Sequence, residues 1–224
     1  MSDPVSRPVD EVSGIEERPQ NRREWSGALR SLVLPVLIVA AIVGVLLYAE
    51  RLRGGSTPAS DGYGIVTLPA DKNPTGRPVS SEVGRAAPDF LLQTPDGGTL
   101  RLSDLRGQPV LVNFWASWCT PCREEMPQIV RGYAAHSAGG LQVVAVDLQE
   151  NADQVRQFAS EFGMTFPIVI DRTGGVASAW RIGGPIKGIP SSYFVDGDGV
   201  VRARVFGPLT AQTLADNLAT IGVQ

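Results

Sequence analysis

Two cysteines, Cys119 and Cys122, stand in the stretch NFWASWCTPCREEMP, residues 113–127, and they are the only cysteines in the chain. A pair at this spacing is suited to three things: one redox couple, half of a zinc site, or an inert buried pair. A structural zinc site needs four ligands. The chain offers no other cysteine and one histidine, His136, in YAAHSAGG, best read as a helix-end or surface residue away from Cys119. A disulfide across so short a loop also constrains the unfolded chain little. Redox chemistry is therefore the favoured reading and an inert pair the bland one. Cys119 falls where the apolar run VLVNFWA gives way to a helix. Pro121 suits the first helical turn, where a missing N–H costs nothing. The partial positive charge and free N–H groups of a helix N-terminus favour thiolate over thiol. Cys122, about one turn on, is placed to resolve a mixed disulfide formed at Cys119.

The elements that hold this pair come from the patterning of residues 84–224. DFLLQ and GTLRL flank TPDGG, a hairpin signal. PVLVNFWA, LQVVAVDL, FPIVI, SSYFVDG and GVVRARVF read as strands, and the segments after Cys119, Asn151, Thr173 and Thr210 as helices. PVLVNFWA and LQVVAVDL are nearly continuous apolar runs separated by a helix, which predicts a parallel pair in a covered sheet. DGDG predicts a tight turn between two antiparallel strands. The predicted class is α/β, in the order hairpin, β, α, β, α, β, α, β, β, α.

Three segments precede that domain. Residues 1–31 are polar, mixed in charge and punctuated by Pro4, Pro8 and Pro19, which predicts a disordered tail. From Leu32 to Ala49 run eighteen residues without a charge, enough as a helix for roughly 27 Å, close to a bilayer core. Trp25 and Tyr48 fall near its two ends. The ending LLYAERLR lacks the small residues of a signal-peptide cleavage site, which favours an uncleaved anchor over a leader. Arg18, Arg22, Arg23 and Arg30 before the span outnumber Arg51 and Arg53 after it. That bias predicts a cytoplasmic N-terminus and an extracytoplasmic catalytic domain in the cell membrane. Residues 50–83 are rich in Gly, Pro, Ser and Asp and read as a flexible linker. A net charge of −3 with no basic patch argues against nucleic acid as a partner.

WCTPC after VLVNFWAS, with GIPSSYFVD about seventy residues on, resembles a thioredoxin-fold redox protein. The leading APDFLLQTPDGGTLRLSDLRGQPVLVNFWASWC, together with the anchor, is similar to the membrane-tethered TlpA/ResA branch. The resemblance implies a central mixed sheet flanked by helices, an N-terminal β-hairpin extension and one preceding transmembrane helix. It implies that Cys119 attacks and is the more exposed cysteine, that Cys122 resolves, and that Pro190 is a cis-proline facing the pair and aligning a client strand. Trp118, Thr120, Pro121 and Ile189 then line the client-binding surface, whereas Trp115 is better read as core. Ordinary thioredoxin carries an aspartate where this chain has Asn113, and an amide cannot act as a general base. The branch instead carries an acid at the place of Glu125, about one helical turn beyond Cys122. There an acid raises a cysteine pKa or shuttles a proton; the bland reading makes Glu124 and Glu125 acids that suit the helix dipole. Glu150 in VDLQEN also fits an acid near the site, by analogy alone.

The function expected from the resemblance is an extracytoplasmic thiol–disulfide oxidoreductase, acting as a reductant. Its electrons rest on the Cys119/Cys122 couple with no further cofactor. Its partners are client proteins with disulfides, apocytochrome c or a copper-site protein among them, and a membrane thiol electron donor. Two other classes stay open. The front half is shared with peroxiredoxins, although Ala116 stands where that group has threonine three residues before its reactive cysteine. A copper-binding module is the other, although the related chaperones space their cysteines one residue wider and add a distant histidine.

Overall fold

The run Val110–Trp115 is buried at every position, so it needs cover on both faces, and the fold supplies it. The computed structural model describes residues 35, 37–45, 62–182 and 188–223. By contact the chain divides into residues 1–55 and 56–224. In the first unit, Pro35 and residues 37–45 are helical with exposed side chains. Among the described residues no helix is long and apolar enough to cross a membrane. The remainder of the span expected from Leu32 to Ala49 lies outside the described residues, as do Trp25, Tyr48, the tail 1–31 and residues 50–61.

The second unit contains β1 (Gly64–Ile65), β2 (Phe90–Gln93), β3 (Thr99–Arg101), β4 (Val110–Trp115), α1 (Thr120–His136), β5 (Gln142–Leu148), α2 (Ala152–Phe162), β6 (Ile168–Asp171), α3 (Gly175–Ala179), β7 (Ser191–Val195), β8 (Val201–Phe206) and α4 (Ala211–Thr220). Its strands form one mixed sheet in the order β1-β2-β6-β5-β4-β7-β8, with β3 paired to β2. β4 runs parallel to β5 and β5 to β6, while β7 lies antiparallel to both β4 and β8. This is the thioredoxin-like arrangement, extended at one edge by the β2–β3 hairpin.

Alternation along β4 and β5 divides the apolar residues between two cores. Leu111 and Trp115 join Val143 and Ala145 beneath α1, α2 and α4. Val110, Val112 and Phe114 join Val144 and Val146 on the other face, under Phe90, Trp180 and Tyr193. Three polar residues interrupt the first face or its cover, all fully buried or nearly so: Asn113, Asp147 and Glu125. Helix starts follow local signals. Asn151 caps α2 in a reciprocal box with Gln154, and Thr210 caps α4 with Thr213.

One boundary differs from the sequence expectation. Residues 62–83, read from composition as linker, belong in part to the sheet. Gly64 and Ile65 pair with Leu91 and Phe90. Val79 bridges to Ala86, and the Val66 amide donates to the Asp89 carbonyl at 3.1 Å. A two-residue strand leaves no periodicity to read; its pairing comes from the edge that β2 offers.

Candidate functional site

The parallel pair β4–β5 ends where Trp115 meets Asp147, and the chain then turns through Ala116, Ser117 and Trp118 into α1. Cys119 is the N-cap, with extended backbone, and its Sγ accepts the Cys122 N–H at 3.2 Å. That is the contact that favours a thiolate there. Cys119 and Cys122 are joined as a disulfide. Cys119 is 5% exposed and Cys122 fully buried, so Cys119 is the more accessible sulfur. Pro121 occupies the first turn as expected. Pro127, inside the same helix, has no N–H to give the Arg123 carbonyl.

Pro190 precedes β7, whose first residue Ser191 pairs with Phe114. The antiparallel β7 thus delivers Ile189 and Pro190 to the end of the sheet from which the Cys119 turn departs. The Ile189–Pro190 bond is cis, and the Pro190 carbonyl accepts the Gly207 N–H at 2.9 Å. Trp118 is 69% exposed beside an almost wholly buried cysteine pair. Thr120 is also exposed, Pro121 and Ile189 are half-buried, and Trp115 is core, its ring against Phe158. His136 closes α1, sixteen residues of helix from its start at Thr120, and does not join the site.

Glu125 is 1% exposed and is no surface complement to the helix dipole, whereas Glu124 is exposed. One Glu125 oxygen accepts the Asn113 side-chain amide at 2.8 Å and the other the Leu209 backbone N–H at 2.7 Å. Asn113 also donates to Ser192 Oγ at 3.0 Å. Burial pushes the Glu125 carboxyl up to about 7, against the lowering effect of those two donors. Asn113 therefore holds the buried Glu125 carboxyl by a side-chain hydrogen bond.

Glu150 is 7% exposed, and its two oxygens accept the backbone N–H and the hydroxyl of Ser117. The Ser117 carbonyl in turn accepts from Arg123 at 3.5 Å. Arg123 lies over the rings of Phe158 and Phe162 and pairs with Glu161 of α2. Behind Glu150 sits Asp147, fully buried, accepting the Glu150 N–H at 3.1 Å. Burial, then the adjoining Glu150 carboxyl, push Asp147 up to about 8.

The structure thus brings Cys119, Cys122, Trp118, Thr120 and Pro121 onto one turn, Ile189 and Pro190 to the same sheet end, and Glu125 and Glu150 to flanking positions. Sequence reasoning passed over Ser117, Asp147, Ser192 and Leu209. Asp147 did carry a signal, being an acid in the otherwise apolar run QVVAVDL. Leu209 carried none, since it acts through its backbone N–H. Among the described residues no three His, Cys, Asp or Glu side chains are grouped as a metal site.

Comparison with known proteins agrees with this geometry. Residues 83–204 match the model of the AhpC/TSA family. The thiol-disulfide oxidoreductase ResA of Geobacillus thermodenitrificans is 38% identical over 62% of this chain and 78% of its own length. ResA of Oceanobacillus iheyensis is 38% identical over 72% of this chain and 82% of its own. A solved thiol:disulfide interchange protein of the thioredoxin family from Chlorobium tepidum superposes with a TM-score of 0.55 at 29% identity, covering 61% of this chain and 94% of that one. A C-x-x-C pair at the end of a thioredoxin-like sheet, in a chain so related, places the protein in the AhpC/TSA family, as a thiol–disulfide oxidoreductase of the TlpA/ResA group.

Proposed function

We propose that this oxidoreductase works outside the cytoplasm as a reductant of client disulfides, tethered by the uncharged segment from Leu32 to Ala49. The observation that carries the direction of electron flow is the burial of both sulfurs, with the buried carboxyl of Glu125 three residues beyond Cys122 on α1. Low exposure and a neighbouring negative charge raise the cost of a thiolate, opposing the helix N-terminus at Cys119. A couple whose reduced form is not specially stabilised is reducing, the opposite of the arrangement in a strong oxidant such as DsbA.

In the forward half-reaction the Cys119 thiolate attacks one sulfur of a client disulfide. The client S–S bond breaks and a Cys119–client mixed disulfide forms, with the second client sulfur leaving as thiolate. Cys122 loses its proton and attacks Cys119 Sγ, forming the Cys119–Cys122 bond and releasing the first client thiol. Two electrons and two protons pass from the dithiol to the client. Glu125, near-balanced between its two protonation states at neutral pH, is the group suited to take the Cys122 proton. Trp118, Thr120, Pro121 and Ile189 form the surface on which the client rests, with the backbone at the Ile189–Pro190 bond aligning it. A membrane dithiol donor restores the reduced state by the same steps in reverse, and the disulfide of an apocytochrome c is the kind of client such an arrangement serves. No cofactor beyond the cysteine pair enters this scheme.

The test is the equilibrium reduction potential of the protein in dithiothreitol buffers, with membrane fractionation of the full chain. A potential near or below about −270 mV, with the protein in the membrane pellet and its catalytic domain open to external protease, supports the reading. A value near about −120 mV would make the protein a disulfide donor instead.

A further inference from the structure

Asp147 presents a problem that the exchange steps above do not solve. Its Oδ1 accepts the Glu150 N–H, but its Oδ2 is buried and has no hydrogen-bond partner. A carboxylate oxygen left so costs more than almost any other buried group. Its neighbour is a second carboxyl, Glu150, whose oxygens both face donors on Ser117. An oxygen pair that accepts from an N–H and an O–H is the ionised partner. The proton that resolves the conflict therefore belongs on Asp147 Oδ2, donated to Glu150.

The groups around the pair offer no cation, though the Trp115 indole N–H is buried and unpartnered. On β4 the register neighbour of Asp147 is Trp115 and on β6 it is Ile170. From α1 come Arg123, which reaches the Ser117 carbonyl and is paired with Glu161 of α2, and Glu125, which is held by Asn113 and Leu209. Cys119 and Cys122 are in their disulfide. Asp171 at the end of β6 is turned to the first turn of α3, where it accepts the Ala177 N–H. Among the described residues neither Asp147 nor Glu150 has an ion pair with a cation.

We propose that Asp147 is a positioning residue for the exchange reaction: as the neutral acid it donates to Glu150, which holds Ser117 by its amide and hydroxyl and so fixes the Ser117–Trp118–Cys119 turn. The inference rests on exchange at Cys119 and deepens that reading. The chain of contacts runs from Asp147 through Glu150 to Ser117, two residues before the attacking sulfur. Loss of the Asp147 proton places two negative charges in one buried site. Glu150, nearer the surface, then swings toward water and releases Ser117. Trp118, which already projects into solvent, and Cys119 lose their fixed placement with it. The turn is thus built to loosen in alkali, around the pH of about 8 at which Asp147 gives up its proton.

The test reads the turn itself, on the oxidised protein without a client. The protection factor of the Ser117 amide against hydrogen exchange is measured by NMR from pH 6 to 10 in the wild type, Asp147→Asn and Asp147→Ala. The wild type is expected to lose protection about tenfold or more in one step, the worth of a hydrogen bond to a charged group. Asp147→Asn keeps a donor toward Glu150 and cannot ionise, so it is expected to hold the low-pH protection throughout. Asp147→Ala is expected to show the low protection at every pH; if it fails to fold, the Asn variant alone decides. A step in Asp147→Asn like that of the wild type, or a flat wild-type profile, overturns the proposal. Mixed-disulfide formation at Cys119, assayed in the same samples, reports separately on the exchange reading.

Discussion

Replacing Glu125 by glutamine should change how stability depends on pH more than it changes stability itself. In the unfolded chain this carboxyl ionises at the ordinary 4.5, whereas in the fold it ionises near 7. Between those values the native state holds a proton that the unfolded state has shed, so stability falls as pH rises. The contribution is complete below the unfolded value and is lost as pH climbs through about 7. At 1.36 kcal/mol for each tenfold change the loss is about 3 kcal/mol, a large part of a domain's stability. Asp147 acts with the same sign, its carboxyl rising from 3.8 to about 8. The comparison with E125Q cancels that background. The variant can keep its contacts: its amide oxygen accepts from Leu209, and an amide flip at Asn113 turns the otherwise unpartnered Asn113 oxygen to accept from the new donor. Urea unfolding of both oxidised proteins from pH 4.5 to 8.5 is the assay. The wild type is expected to lose about 3 kcal/mol relative to E125Q across that range. Parallel curves would refute the claim that Glu125 is buried, neutral in acid and forced to ionise at neutral pH.

Other outcomes follow from the same structure. Trp118→Ala should leave stability within about 0.5 kcal/mol, as expected of an exposed residue, while raising the KM for a protein client and leaving reduction by dithiothreitol unchanged. Asp89 is fully buried and accepts from Arg101 at 2.7 Å and from the Ser103 N–H at 2.9 Å. Asp89→Ala strands the buried Ser103 N–H and should cost about 1–3 kcal/mol in chemical denaturation. A fragment beginning at residue 84 loses the β1–β2 pairing and the contacts of residues 62–83. It should unfold at lower urea than one beginning at residue 62, with a smaller m-value because less surface is buried.

The fold was legible where local signals agree with the tertiary context. The apolar runs at Val110–Trp115 and Gln142–Leu148 admit one reading, a covered parallel pair, and the caps Asn151 and Thr210 mark their helices. The cysteine pair announced itself by type, spacing and its place before a helix. The sheet edge did not: residues 62–83 have linker composition, and only the presence of β2 gives Gly64 and Ile65 a partner. Nor could the sequence reveal how the acids are held. Glu125 and Leu209 lie 84 positions apart, with no sequence pattern to join them. What the sequence does display is polarity out of place. Asn113 and Asp147 each interrupt a buried strand; Asn113 donates to the Glu125 carboxyl and Asp147 accepts the Glu150 backbone N–H. The proposed anchor rests on residues 32–49 as sequence, eight of which lie outside the described residues.

The central claim is that Cys119 attacks and Cys122 resolves. It is tested most directly by trapping. Cys122→Ser and Cys119→Ser proteins, reduced and then mixed with a disulfide-bearing peptide, are analysed by intact-mass spectrometry under non-reducing conditions. Cys122→Ser should accumulate a stable adduct at Cys119, with the mass of one peptide chain added, and Cys119→Ser should remain unmodified on the same timescale. An adduct that forms faster at Cys122, or none at either cysteine, would contradict the account.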